Sequence, residues 1–226
     1  MASDPATGRS YAQRCGVAGA LDVVGERWAA LVVRDLLVGP LRFGDLLAGL
    51  PGVGSNTLTA RLKQLEAGGV VLRRPVPLPD RGTVYELTDY GRELEPVLLA
   101  LGRWGERRMA QLPADATSRS RWLAVAMLAF RSTEKPVDRP LTWLLRLDDG
   151  PYTVHAESDV LTVTAGEAAT ADLTIAVRDQ TWHALLTHRL RPAAAITQGL
   201  LTLHGDRRLL RALLDRFAFP TQPSRG

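Results

Sequence analysis

One segment of the sequence carries side chains that could hydrogen-bond an extended partner. Beginning at Ser55, the residues Leu58, Leu62 and Leu65 repeat at helical spacing and mark one apolar face. The opposite face of that helix carries only small, polar or cationic residues, which are Asn56, Thr59, Ala60, Lys63 and Ala67. Short side chains with donors and a cation fit a major groove about 12 Å wide, whereas a face packed on protein would carry bulk. This face is therefore predicted to contact base edges.

The region around this segment is basic. From position 54 to 85 the only anions are Glu66 and Asp80, and the cations are Arg61, Lys63, Arg73, Arg74 and Arg81. The net charge of the whole chain, +4 with a pI of about 9.7, permits an anionic partner without identifying one. Cationic stretches are usually only solvated surface, but the coincidence with the small-residue helix and the hairpin described below favours DNA.

Apolar patterns predict the helices that must position this face. Spacings of three and four predict a first helix facing a core, ended by Gly39-Pro40, through Leu21, Val24, Trp28 and Leu31. A shorter second helix, ended by Pro51-Gly52, is predicted from Phe43, Leu46, Leu47 and Leu50. Ser55 is predicted to cap the third helix, which ends at Gly68-Gly69. Three helices are thus expected to share one small core.

A β-hairpin is predicted directly after the third helix. The stretch VVLRRPVPLPDRGTVYELT has β-branched flanks around a proline-containing loop closed by Asp80-Arg81-Gly82. Arg73, Arg74 and Arg81 on this hairpin are expected to contact sugar-phosphate and so to supply position rather than sequence discrimination. Three helices followed by a basic two-stranded ribbon is the order of a winged helix-turn-helix.

An enzymatic interpretation of the glycine-rich joint at Gly52 and Gly54 fails on its pattern. A phosphate-binding loop requires G-x-x-x-x-G-K-[ST], and a dinucleotide fingerprint requires three glycines between a strand and a helix. We find no paired carboxylates, nucleophile elbow or metal-ligand cluster, and His183 and His188 are five residues apart with no further ligand beside them. The sequence therefore predicts a protein that is not an enzyme and has no catalytic residue, metal or cofactor.

The motifs of the first half resemble the HxlR-type winged-helix transcriptional regulators, over about residues 14 to 109. They include ALDVVGERW, RDL, GPLRF, a serine-started helix with LTARLKQLEAGG, and LTDYGREL with a closing WG. The resemblance implies homodimers that bind inverted-repeat operators on double-stranded DNA and respond to a small molecule or to oxidation. It places base-facing positions at Ser55, Asn56, Thr57, Thr59 and Lys63, and Arg81 in the wing. We add Arg42, within GPLRF, to the predicted DNA contacts.

The segment after the hairpin independently favours dimerisation. Thr88 is predicted to cap a helix that Pro96 kinks, and its apolar stripe comprises Leu94, Val97, Leu98, Leu101 and Trp104. This stripe is too large for a short domain to bury alone. Pairing two such stripes about a two-fold axis would place two groove-contacting helices about 34 Å apart, the geometry of palindromic sites.

The second half is predicted to form a separate domain. QLPADATS, residues 111–118, reads as a linker, which divides the chain into residues 1–112 and 119–226. The first domain is predicted to be mainly α. Beyond the linker, alternating apolar residues predict an α+β domain with an antiparallel sheet of at least four strands. A helix is expected to open at Asp179, and Asp206 is expected to cap a terminal helix.

This half resembles the sterol-carrier-protein-type fold, over residues 120 to 219. The residues that carry the resemblance are Ala171-Asp172 through Ile175, and Gly199, Leu201, Leu203, Gly205 and Asp206. The resemblance implies an apolar tunnel and hence a hydrophobic small-molecule effector. Trp122, Trp143 and Trp182 are candidates to line it, although aromatics on apolar faces are more often ordinary core.

Cys15, the only cysteine, admits two interpretations: a packed side chain or an oxidation sensor. With no leader-like start, and no apolar run of about eighteen residues, the chain is expected to be cytoplasmic and not membrane-spanning. The function that these features favour is a homodimeric regulator that recognises a palindromic operator. The alternative is a hydrophobic-ligand binding protein whose winged domain serves only for dimerisation.

Overall fold

The computed structural model describes residues 10–76, 81–111, 117–132 and 136–220, and the chain divides into two compact units, residues 1–98 and 99–226. The helices of the first unit are α1 (Gly16–Val24), α2 (Ala29–Leu36), α3 (Phe43–Gly49), α4 (Ser55–Ala67) and α5 (Asp89–Arg92). A further helix, α6 (Glu95–Gly105), crosses the boundary and leads into a 3-10 helix, Glu106–Gln111. The strands of the first unit are β1 (Leu41–Arg42), β2 (Val71–Pro75) and β3 (Thr83–Leu87).

The single helix predicted from Leu21 to Leu31 is two helices, α1 and α2. The prediction of which residues face the core was therefore wrong. The chain breaks after α1, where Trp28 adopts a left-handed conformation with φ of 79°. The break rotates α2 relative to the predicted stripe, so Leu21 and Leu31 are exposed. The buried face of α2 is instead formed by Ala29, Val32, Val33 and Leu36.

The joint between α3 and α4 is a turn, as predicted. Gly52 has φ of +90°, a conformation that side-chain-bearing residues rarely adopt. The prediction that Ser55 caps α4 was wrong: Gly54 is the N-cap and Ser55 is the first helical residue. The apolar face of α4 is confirmed, because Leu58, Leu62 and Leu65 are buried.

The predicted hairpin is confirmed as β2 and β3, which pair antiparallel, and β1 joins the other edge of β3. The loop at positions 77–80 lies outside the described residues.

Thr88 caps a helix as predicted, but that helix is the short α5 and not a long one. Its Oγ1 accepts a hydrogen bond from the Gly91 backbone N–H at 2.9 Å and donates to the Gly69 carbonyl at 2.6 Å. The helical stripe continues in a separate helix, α6. Pro96 is the second residue of α6, where its missing N–H costs no helical hydrogen bond, so the predicted kink is replaced by a helix start.

The second unit is α+β, and its sheet is mixed rather than antiparallel. Its strands are β4 (Leu141–Leu147), β5 (Gly150–Glu157), β6 (Val160–Ala165), β7 (Leu173–Val177) and β8 (Leu201–Gly205). They are ordered β6-β5-β4-β7-β8, and β4 and β7 are parallel. The connection at positions 166–172 carries the chain back to the start of β4, where the Asp172 N–H donates to the Thr142 carbonyl at 2.8 Å. A strand that starts there must run parallel to β4.

The helices of the second unit are α7 (Ser120–Ala129), α8 (Asp179–Leu186), α9 (Pro192–Thr197) and α10 (Leu209–Leu214). The opening of α8 at Asp179 is confirmed, whereas α9 was not predicted. Asp206 is not the cap of α10, because Arg208 holds that position and its N–H donates to the Asp206 carboxylate at 3.0 Å. The prediction that the first domain is mainly α was too strong, because its described residues also contain a sheet of β1, β3 and β2.

Within the described part of the chain, no helix combines the length and the apolar character that crossing a bilayer requires.

Candidate nucleic-acid interface

The exposed face of α4 consists of the small, polar and cationic residues singled out in the sequence. The side chains of Asn56, Thr59, Ala60, Lys63 and Ala67 are all exposed, as are Ser55 and Thr57. Burial of Leu58, Leu62 and Leu65 on the opposite side fixes the rotation of the helix and hence the direction in which this face points. No other segment of the described chain covers these residues, so a partner can reach them.

The hydrogen-bonding capacity of this face is set partly within the helix. The Thr59 hydroxyl donates to the Ser55 carbonyl at 2.8 Å, so its oxygen remains available as an acceptor beside its methyl group. Asn56 offers both donors and an acceptor, and Lys63 offers a charged donor. The face therefore presents donors, acceptors and a cation over about two helical turns.

The three arginines of the hairpin differ in whether a nearby anion offsets the positive charge of the guanidinium. The Arg73 guanidinium lies 5.5 Å from the centre of the Tyr85 ring, which faces it across the hairpin. Arg74 forms an ion pair with Glu86 at 2.9 Å. The hydrogen bond and the negative charge of Glu86 raise the pKa of Arg74 above its usual range. Arg81 is exposed near the tip. Of these three cations, Arg74 is therefore the one whose charge is already offset.

Arg42, predicted as a DNA contact, is engaged in bracing the hairpin. Its Nη1 donates to the Arg81 carbonyl at 2.6 Å, across the pairing of β1 with β3. Gly82, next in the chain, has φ of +132°, and a Cβ there would come within 2.5 Å of the Arg42 Nη1. The bond thus holds the base of the hairpin tip against β1.

Arg42→Ala is expected to loosen this tip. Loss of one charged hydrogen bond at a partly exposed position costs about 1 kcal/mol, which corresponds to roughly fivefold faster amide exchange in the hairpin. The measurement is hydrogen exchange followed by mass spectrometry over positions 71–76 and 82–87. Arg81→Ala is the matched control, because it removes a side chain and retains the carbonyl that Arg42 binds. Equal exchange in Arg42→Ala and wild type would contradict the bracing role.

Arg61, counted among the cations of the basic window, is turned away from the exposed face of α4. Its Nη2 lies 3.5 Å from Glu26 Oε2, and its Nη1 donates to the Gln64 side-chain oxygen. Gln64 in turn donates to two carbonyls at the end of α1. Sequence reasoning missed these contacts, since Gln64 and Asp22 are separated by 42 positions and neither belongs to a motif.

Cys15 is exposed and occupies the N-cap position of α1. The interpretation of Cys15 as a packed side chain was therefore wrong within this chain, and the oxidation-sensor interpretation stays a prediction. Among the described residues, no three His, Cys, Asp or Glu side chains form a group that could hold a metal ion. His183 instead contacts Arg189 at 2.7 Å, and burial lowers its pKa, with the nearby Arg189 charge acting in the same direction.

Two of the three tryptophans proposed to line an apolar tunnel are fully buried and their ring nitrogens are satisfied. Trp143 Nε1 donates to the Leu209 carbonyl at 3.0 Å, and Trp182 Nε1 donates to the Met127 sulfur at 3.4 Å. Both therefore serve as core. Trp122, on α7, is only partly buried.

A buried polar cluster in the second unit was also missed in the sequence. The Ser120 hydroxyl donates to the Asp179 carboxylate at 2.7 Å and accepts from the Asp149 N–H at 2.8 Å. Burial raises the pKa of Asp179, against the effect of the Ser120 hydrogen bond, and burial raises the pKa of the adjoining Tyr152 to about 12. The cluster ties the starts of α7 and α8 to the turn between β4 and β5, so its role is structural.

Four helices followed by a short β-ribbon, with an exposed polar face on α4 and cations on the ribbon, define the first unit as a winged helix-turn-helix. Residues 23–113 match the HxlR-like helix-turn-helix family, and residues 112–215 match the SCP-2 sterol transfer family.

Similar proteins are helix-turn-helix transcriptional regulators. An HTH-type regulator of Synechocystis, sll1512, is 41% identical over 98 residues, which cover 43% of this chain and 72% of the relative. YvaP of Bacillus subtilis, also an HTH-type regulator, is 41% identical over 85 residues, covering 38% of this chain and 79% of YvaP. Among solved structures, the redox regulator HypR in its reduced form is 33% identical, with a TM-score of 0.39, over 42% of this chain and 94% of HypR.

The chain therefore belongs to the HxlR-like helix-turn-helix family of transcriptional regulators, and it carries an SCP-2-type domain after the winged helix-turn-helix.

Proposed function

We propose that the chain binds double-stranded DNA as a homodimer and regulates transcription from a palindromic operator. The observation that carries the proposal is the open face of α4 from Asn56 to Lys63, which is slim, polar and cationic where a packed helix would be bulky. In this arrangement α4 enters the major groove, and Arg73 and Arg81 of the wing meet the adjacent sugar-phosphate.

Dimerisation is supported by an apolar face that the chain leaves exposed. Val97, Leu101 and Trp104 lie at helical spacing on α6, and they are 59%, 55% and 67% exposed. Large apolar side chains clustered on one helical face in water favour burial against a partner. A second copy of α6 supplies an equivalent apolar face, and the resulting two-fold axis relates two α4 helices as a palindrome requires.

The proposed protein has two domains, residues 1–112 and 119–226, and the second domain binds an apolar effector. Its support is the match to the SCP-2 sterol transfer family. The alternative, a ligand-binding protein that uses the winged domain only for dimerisation, gives no reason for the polar face of α4 to be left open.

Selection of genomic DNA fragments by the purified full chain tests the proposal directly. We expect enrichment of an inverted repeat with half-sites about one helical turn, roughly 34 Å, apart. If no sequence is enriched even at low salt, where electrostatic attraction is strongest, the proposed function is wrong.

The cations of the interface are tested through the salt dependence of binding to the selected operator. Lys63→Ala and Arg81→Ala are each expected to reduce the slope of log K against log salt by about 0.9, the value for one lost phosphate contact. Lys63→Ala should also weaken the preference for the selected bases if Lys63 meets a base edge. Arg208→Ala, which removes an exposed cation of the second unit, is the control and should leave the slope unchanged. Unchanged slopes for both interface variants would reject this docking.

A further inference from the structure

The side of α4 that faces neither the core nor the open face is attached to the end of α1. The Gln64 amide nitrogen donates to the Asp22 and Val23 carbonyls, at 3.2 Å in each case. These are among the last carbonyls of α1, which no later turn of the helix can satisfy. Gln64 thus acts as a side-chain cap for the C-terminus of a different helix.

A second contact reinforces the first. Arg61, one turn earlier on α4, lies between Glu26, just beyond α1, and the oxygen of Gln64. Its donation to that oxygen orients the Gln64 amide so that the nitrogen points at α1. Glu26, Arg61 and Gln64 are therefore linked by an ion pair and a hydrogen bond, from the end of α1 to the middle of α4.

Next to these polar contacts, α4 and α1 also pack closely through apolar atoms. A Cβ placed on Gly68, at the end of α4, would come within 2.9 Å of a Val23 methyl group. Because α4 contacts α1 both through apolar atoms at its C-terminal end and through polar side chains at its middle, a movement of α1 is expected to move α4 with it. A contact at a single point would allow α4 to pivot.

The outer surface of α1 is apolar, and within the described residues its Val17 and Leu21 side chains are exposed. In the proposed dimer, a second copy that covers this face of α1 as well as the apolar face of α6 would set the position of α1. We infer that Gln64, oriented by Arg61 and Glu26, is a positioning residue that fixes α4 to α1. In the proposed DNA-binding dimer, on which this inference rests, Gln64 thereby sets the spacing between the two α4 helices.

The inference is tested by the tolerance of the protein to operator spacing. Inserting one base pair between the half-sites moves them by about 3.4 Å and rotates them by about 35°. We expect wild type to lose about tenfold or more in affinity on this insertion. Gln64→Met retains the length of the side chain without polar atoms, and it is expected to lose less than about threefold on insertion while binding the original operator about fivefold more weakly than wild type.

Two further variants separate this role from general damage. Glu26→Gln weakens the hold on Arg61 from the α1 side, lies outside α4, and should change spacing tolerance in the same direction, even if Gln64→Met proves unstable. Lys63→Met, beside Gln64 but on the open face, should weaken binding to both operators equally and keep the wild-type insertion penalty.

The outcomes are distinguishable. An insertion penalty in Gln64→Met and Glu26→Gln equal to that of wild type overturns the inference and leaves the DNA-binding proposal intact. Failure of the wild type to bind any operator removes the proposed function, and the inference with it. A reduced insertion penalty in either variant, with the wild-type penalty retained in Lys63→Met, supports it.

Discussion

Val97→Glu is expected to leave each unit folded but to convert the proposed dimer to a monomer, and to lower affinity for the proposed palindromic operator by about a hundredfold or more. Val97 is exposed on α6, so the substitution removes no core contact within the chain. In the proposed dimer it would bury a carboxylate near its symmetry mate in an apolar interface, which costs several kcal/mol, and each 1.4 kcal/mol is about a factor of ten.

The matched control is Val160→Glu, which makes the same change on β6 of the second unit. Val97 and Val160 are both 59% exposed, so the two variants differ in location and not in the exposure of the replaced side chain. Light scattering after size-exclusion chromatography reports the mass, and titration with the selected operator reports the affinity. A dimer of unchanged stability in Val97→Glu would contradict the use of this face of α6.

Gly91→Ala is expected to destabilise the first unit by more than about 3 kcal/mol, enough to prevent its folding at physiological temperature. A Cβ at Gly91 would lie 2.0 Å from the Val70 carbonyl oxygen. That oxygen belongs to the backbone, which is fixed by hydrogen bonds from Thr88. Accommodation would therefore require α5 to move off the sheet and break the Thr88 cap.

Gly44→Ala provides the comparison, since Gly44 also lies in a helix and a Cβ there meets nothing within 4 Å. With the lower conformational entropy of alanine in the unfolded chain, Gly44→Ala is expected to stabilise the unit by about 0.5 to 1 kcal/mol. Urea unfolding followed by circular dichroism measures both. A loss below about 1 kcal/mol in Gly91→Ala would show that α5 can shift freely on β2.

The sequence determines most of the candidate interface because its signals are local. The faces of α4 follow from the spacing of Leu58, Leu62 and Leu65, and the hairpin follows from β-branched residues on both sides of a proline-containing loop. Exposure of Asn56 and Lys63 needed only the helical period once the apolar face was assigned.

Features that depend on distant residues were not accessible in the same way. No proline marks the break at Trp28 in the sequence. The left-handed backbone conformation of Trp28 is unfavourable for a tryptophan by itself and is imposed by the surrounding structure. Parallel pairing of β4 with β7 depends on the path of the connection between β6 and β7, which alternation of apolar residues does not encode. The bonds from Arg42 to the wing and from Gln64 to α1 span 39 and 42 positions, respectively.

The parallel pairing at the centre of the second unit also has a consequence for the order in which the protein forms during synthesis. β4 cannot gain its second neighbour until β7 is made, and β7 in turn waits for β8, which ends at Gly205. The bridge from Arg131 to Phe217 closes later still. The winged helix-turn-helix, whose strands are complete at Leu87, can fold while the ribosome is still translating the SCP-2-type domain, so the DNA-contacting part of the chain is assembled before the domain proposed to regulate it.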